Sequence, residues 1–417
     1  MAVVFALYII CMIGKDLAYA PFPYVMRTVV QILALGVGLF VLASRASPRP
    51  LVACWPLVAY VALLLAAAPF TSFPLFVTLQ VLSLASVVFL AMAYFDDPSR
   101  SREQALRVIV LCTLGMYVLV TSVSVILAKV QPGIAYEELF AGNLTGIEMR
   151  FRGLFSKAAG MGAAAGLCVG FVAIAVHRRW LKLAMIIAPI ICLALTQSRS
   201  YWVATVIAGA ITLWIYFPRL RRWTLVGLLA VGLAGAALIA FNISVDTSGA
   251  HAFARLDSVG TLTGRTGLWE AAEQGFSRRP WLGYGYTLGA EGIPGLESPG
   301  GDVDPTDLSR ATLHNGYVQS LLDAGILGFS LYGLTILLAV VRILLRDRER
   351  RYPEILYALL FLAVANGGES VIYSGAVFPS LCFWTCTVFA LSLPRAPVAQ
   401  HAPIPPLHLA PPPNLLP

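Results

Sequence analysis

The chain has 417 residues, of which 59% are hydrophobic and only 12% charged, with a mean hydropathy of +0.80 and a formal net charge of +8. Soluble domains run near 45–50% apolar and about 25% charged, so this composition excludes a string of ordinary soluble domains. It points to an integral membrane protein built from many helices, in which the placement of the few charges says more than their sum.

A bilayer-spanning helix needs about 20 mostly apolar residues. Twelve runs qualify, at 1–14, 24–43, 51–68, 72–94, 104–130, 157–176, 180–196, 200–217, 222–241, 314–343, 352–366 and 371–393, the first and eleventh being short. The first run lacks the basic n-region and small-residue cleavage site of a signal peptide and is read as a membrane helix. The runs are continuous rather than alternating, which excludes a strand barrel. The expected fold class is therefore an all-α integral membrane protein of about 12 transmembrane helices. With both termini inside, seventeen of the 29 basic residues but only six of the 21 acids fall on the inner side, as the positive-inside rule requires.

Two outer segments are long, at about 131–156 and 242–313. Long loops in a compact fold are usually functional or disordered. The second is rich in Gly, Pro and acids. It contains a helical stretch at 266–276, with Leu268, Trp269, Ala272 and Phe276 on one face, expected to lie against the outer membrane–water boundary. The expected organisation is helices one to nine over 1–241, the large outer loop over 242–313, helices ten to twelve over 314–393, and a disordered Pro-rich inner tail over 394–417.

The seven cysteines all sit inside apolar stretches. They read as small core residues rather than a disulfide framework. No GxxxxGK[ST], strand-borne GxGxxG or HExxH motif occurs, so a nucleotide-driven pump or kinase is not expected. No metal, no cofactor and no nucleic-acid partner is expected.

What remains is a set of outward basic groups. Arg199 sits in LTQSRSYW, between the seventh and eighth runs. It is either an interfacial anchor or an anion clamp whose planar fork can hold a phosphate bidentately. Arg265, in LTGRTGLWEAA, opens the loop helix, where backbone N–H groups already favour an anion; the bland reading is a solvated side chain. Arg150 and Arg152, in EMRFRGLF, precede the sixth run and by themselves read as interface residues. His314 opens the tenth run in ATLHNGYVQSLLDAGILG. It is either a hydrogen-bonded surface residue or a base, since an imidazole exchanges protons near neutral pH. Its neighbour Asn315 could orient the ring. Asp302, Asp304 and Asp307 precede it as a solvated loop or a divalent-metal site, although the spacing lacks the glycine and distal Glu of a calcium loop.

RFRGLF (150–155), LTQSRS (195–200), LTGRTGLW with RRPWLGYG (262–285) and LHNGYVQSLLDAGILG (313–328), in this order, resemble the O-antigen ligase and O-antigen polymerase superfamily of bacterial inner membranes. The last two are the most specific, and both lie in the second half, between residues 262 and 328. The first half matches only in hydropathy. Where the family often has a Pro-Asn pair after the Phe motif, this chain reads SKAAGMG.

The resemblance implies a metal-independent, inverting glycosyltransferase in the inner (cytoplasmic) membrane, with its active site in the periplasm. Its implied donor is a glycan on undecaprenyl pyrophosphate, and the membrane lipid admits the polyprenyl tail. Arg199 and Arg265 would bind the pyrophosphate. His314 would be the base on the acceptor hydroxyl, or a third pyrophosphate ligand, with Arg152, Asn315 and Tyr317 in support. Ligases transfer to lipid A-core oligosaccharide, polymerases to another lipid-linked repeat, and a third relative to protein. Twelve spans and a single large periplasmic loop containing short helices look most like a ligase. A flippase of the lipid-linked glycan would need ionisable residues deep in the spans; Glu369 and Asp323 are the nearest here, both toward helix ends.

Overall fold

The computed structural model describes residues 1–16, 24–45, 48–97, 101–140, 147–221, 266–289, 313–347, 349–372 and 378–394. The run at 222–241, Arg265, the acidic run at Asp302, Asp304 and Asp307, and the tail after 394 lie outside them.

The described chain is mostly helical. In order it forms α1 (Ala2–Asp16), α2 (Tyr24–Ser44), α3 (Arg49–Ala53), α4 (Trp55–Ala67), α5 (Pro74–Phe95), α6 (Arg102–Val130), α7 (Pro132–Ala135), α8 (Ala158–Ala175), α9 (Arg179–Leu195), α10 (Arg199–Tyr216), α11 (Thr266–Arg278), α12 (Gly316–Arg346), α13 (Pro353–Ala365) and α14 (Phe378–Ser392). Proline stands in the first turn of α4, α5 and α13, where a missing N–H costs nothing. A reciprocal Ser101/Gln104 capping box starts α6. Among the described residues, four helices are long and apolar enough to cross a membrane: Pro74–Phe95, Glu103–Val130, Ala158–Ala175 and Gly316–Arg346. With the shorter apolar helices around them, they give the chain its multi-pass membrane character.

Three expectations need correction. The fold is not purely α: β1 (Tyr136–Phe140) and β2 (Ile147–Phe151) pair antiparallel, with Tyr136 opposite Phe151. The run at 51–68 is not one helix. It breaks at Cys54, because Pro56 has no N–H to offer the preceding turn. The run at 371–393 is not helical at its start, since the backbone N–H of Ile372 donates to the Asn366 side chain at 3.1 Å instead of to a helical carbonyl.

The core is packed around α5 and α8. A stripe of glycines on α8 lets its neighbours approach closely: a Cβ on Gly162, Gly166 or Gly170 would collide with the rings of Tyr201 in α10, Phe361 in α13 and Tyr357 in α13 respectively. The Tyr357 hydroxyl donates to the Gly166 carbonyl at 2.8 Å. The stripe sets α10 and α13 side by side on α8.

α12 has 31 residues. At 1.5 Å per residue it is about 46 Å long, against about 30 Å of hydrocarbon in a bilayer. It is broken at Gly325 (φ 62, ψ −172), and the 21 residues after the break suffice to cross. At the break, the Ile326 and Leu327 amides lose their helical partners and donate to the Pro280 and Trp281 carbonyls at 2.7 and 3.4 Å. The orphaned Leu322 and Asp323 carbonyls accept from Tyr284 and Gly285 at 3.1 and 2.9 Å. The Pro-Trp-Leu-Gly-Tyr-Gly segment thus supplies both donors and acceptors that the interrupted helix lacks. Only glycine fits here, because a Cβ on Gly325 would strike the Trp281 carbonyl. The buried Asp323 carboxylate completes the joint by accepting from the Gly289 amide at 2.7 Å.

Candidate functional site

His314 stands two residues before α12, with a left-handed backbone (φ 49). Asn315 does not orient its ring. Asn315 is the N-cap of α12, and its side-chain oxygen accepts from the Tyr317 and Val318 amides at 3.0 and 3.2 Å. The ring's partner is Glu369, whose Oε2 lies 3.0 Å from Nδ1. A carboxylate only accepts, so in this contact Nδ1–H donates, and Nε2 is the ring nitrogen the acid does not engage. The two side chains are 43% and 16% exposed. The acid is sheltered and the imidazole is open to a reacting group.

Glu369 lies in the turn between α13 and α14, and that turn is locked to the start of α12. The Gly316 amide donates to the Asn366 carbonyl at 2.8 Å. The fully buried Asn366 side chain donates to the Tyr332 hydroxyl at 3.0 Å. Tyr317 donates to the Ala363 carbonyl at 2.7 Å. Gly316 itself has no room for a side chain, because a Cβ would meet the Asn366 amide. Tyr317 therefore fastens α12 to α13, which is the role its geometry supports.

Arg199 is the first residue of α10 and is half-buried. The sharp reversal before it is built by Thr196, whose hydroxyl donates to the Leu193 carbonyl at 2.8 Å, and by Gln197 in left-handed backbone (φ 52). The next residue, Ser200, packs against the Glu369 turn so closely that a Cβ on Gly368 would lie 2.7 Å from the serine Cβ. The structure thus gathers the start of α10, the Glu369 turn and the His314 turn at one end of the bundle. Backbone N–H groups at a helix start and a neighbouring guanidinium favour an anion there.

Arg152 is held by the hairpin and α7. Its Nε donates to the Ile134 carbonyl at 3.1 Å, and its amide donates to Ala135, tying the hairpin to α7. α11 forms over Thr266–Arg278, where the spacing predicts a helix at 266–276. Its Ala272 packs with Tyr284, Leu313, Leu322 and Val318, against the start of α12.

Glu369 is the partner of His314 that the sequence did not single out. The available signal was an acid in a Gly-Gly turn at the end of an apolar run, within Asn-Gly-Gly-Glu-Ser. Nothing in the sequence ties that turn to a histidine 55 residues earlier.

Residues 183–333 match the family described as O-antigen ligase. The match runs from α9 through α11 into α12 and so includes Arg199, Arg265 and His314. A search of curated proteins finds no match to the chain.

Proposed function

We propose that the chain is a lipid-pyrophosphate-dependent glycosyltransferase, acting as an O-antigen ligase at the periplasmic face of a bacterial inner membrane. The observation that carries this reading is the His314–Glu369 pair, held beside the start of α10 in a chain whose residues 183–333 match that family. The fold crosses the bilayer twelve times with both termini cytoplasmic, which the inner excess of Lys and Arg supports.

The donor is a glycan on undecaprenyl pyrophosphate and the acceptor is lipid A-core oligosaccharide. His314 Nε2 takes the proton of the acceptor hydroxyl. The acceptor oxygen attacks the anomeric carbon as the sugar–phosphate bond breaks, inverting that centre. The pyrophosphate leaves on its lipid, with its developing charge met by Arg199 and Arg265. Glu369 holds the ring in the tautomer that accepts at Nε2 and stabilises the imidazolium that forms. The energy resides in the sugar–phosphate bond, so no nucleotide is needed.

The test incubates purified protein with undecaprenyl-pyrophosphate-linked glycan, with and without lipid A-core. Glycan appearing on the core only when core is present supports the ligase. Lengthened lipid-linked glycan without the core makes the protein a polymerase. No transfer in either reaction overturns the proposal.

A further inference from the structure

His314 is held from two sides, and only one of them is its acid partner. Its positive φ is costly for a residue with a side chain and persists only where the surroundings dictate it. The peptide plane between Leu313 and His314 sets that φ and thereby the direction of the ring. Among the described residues, the Trp269 indole N–H grips this plane from outside the His314 turn, donating to the Leu313 carbonyl at 3.0 Å, across 44 residues. Leu313 is fully buried, so the carbonyl is anchored by its own side chain as well.

Trp269 stands on α11, one turn from its start at Thr266, and Arg265 is the preceding residue in the chain. α11 is docked firmly enough for this grip to matter. Its Ala272 packs among Tyr284, Leu313 and Leu322, and the Tyr284 hydroxyl donates to the Gly275 carbonyl at 2.9 Å. Tyr284 in turn donates its amide to Leu322 at the α12 break. An indole only donates, so the contact has a single polarity.

We propose that Trp269 is a positioning residue for His314, fixing the base's backbone through the Leu313 carbonyl and tying it to the helix that begins after Arg265. This rests on the reading of His314 as the base. The residue touches no reacting atom and acts through the direction in which Nε2 points. Misplacing a catalytic group by an ångström can cost about 100-fold in rate, and one hydrogen bond accounts for roughly fivefold to tenfold.

The experiment compares wild type, Trp269→Phe, His314→Ala and the double variant. The readouts are single-turnover transfer from undecaprenyl-pyrophosphate-linked glycan to lipid A-core, donor affinity, and thermal melting. Trp269→Phe is expected to slow transfer roughly 10-fold to 100-fold at unchanged donor affinity, and the double variant to be no slower than His314→Ala. Benzothienylalanine at position 269 keeps the bicyclic ring and replaces only the N–H. It should reproduce the slow rate with wild-type melting. Transfer at the wild-type rate in that variant overturns the proposal. So does a double variant slower than His314→Ala by the full Trp269→Phe factor, because Trp269 would then act independently of the histidine. A His314→Ala protein with wild-type turnover would instead remove the base reading itself.

Discussion

Replacing Glu369 by glutamine isolates the charge of the His314 partner. Glutamine keeps the length and can still accept from Nδ1–H, so the ring stays oriented while the negative charge is lost. The contact is 3.0 Å, which puts the charge centres about 4 Å apart once imidazolium forms. Coulomb attraction there is about 4 kcal/mol at a near-surface dielectric and about 1 kcal/mol in bulk water. With the imidazole 43% exposed, the lower half of that span applies, about 1–2 kcal/mol, or a fivefold to thirtyfold loss of rate. Glu369→Ala removes the orientation too and should lose roughly another tenfold. The assay is single-turnover transfer with bound donor, alongside donor affinity. Glu369→Gln turning over at the wild-type rate refutes the reasoning. So does a fall in donor affinity matching the fall in rate, since the acid would then serve binding rather than the proton.

Arg199→Lys keeps the charge but loses the bidentate fork; transfer should be strongly impaired at normal expression, and near wild-type transfer would make Arg199 an interfacial anchor. If arginines neutralise the leaving pyrophosphate, transfer should persist in EDTA; loss that magnesium or manganese restores would move Asp302, Asp304 and Asp307 to the centre of the chemistry. Gly325→Ala introduces a side chain at a backbone geometry open only to glycine and against the Trp281 carbonyl, so it should cost about 2–3 kcal/mol and lower the melting temperature by several degrees. Unchanged melting would show that the α12 joint is not strained by a side chain.

Among the described residues, most of the continuous apolar runs are helices, because in such a stretch a helix satisfies every backbone group without leaving the bilayer. The local punctuation was legible as well: the loop helix from Thr266 to Arg278 follows from its amphipathic spacing. Spacing also singled out Arg199 and His314, charged or titratable groups at the edges of apolar helices, where such groups are costly without a purpose. Glu369 was not legible as a partner, because a contact across 55 residues leaves no periodicity in either segment. Asn315 was legible as polar, but its use as a helix cap rather than a ring partner depends on where the Tyr317 and Val318 amides point. The break in α12 shows the division most clearly. Gly325 sits in an apolar run that reads as one helix, and a lone glycine in such a run is ordinarily tolerated. The helix opens there only because Pro280–Gly285 arrives from a distant loop with the carbonyls and amides that replace its own lost bonds. Sequence periodicity reports which faces are apolar, whereas the choice between intrahelical and borrowed hydrogen bonds belongs to whatever the fold brings alongside.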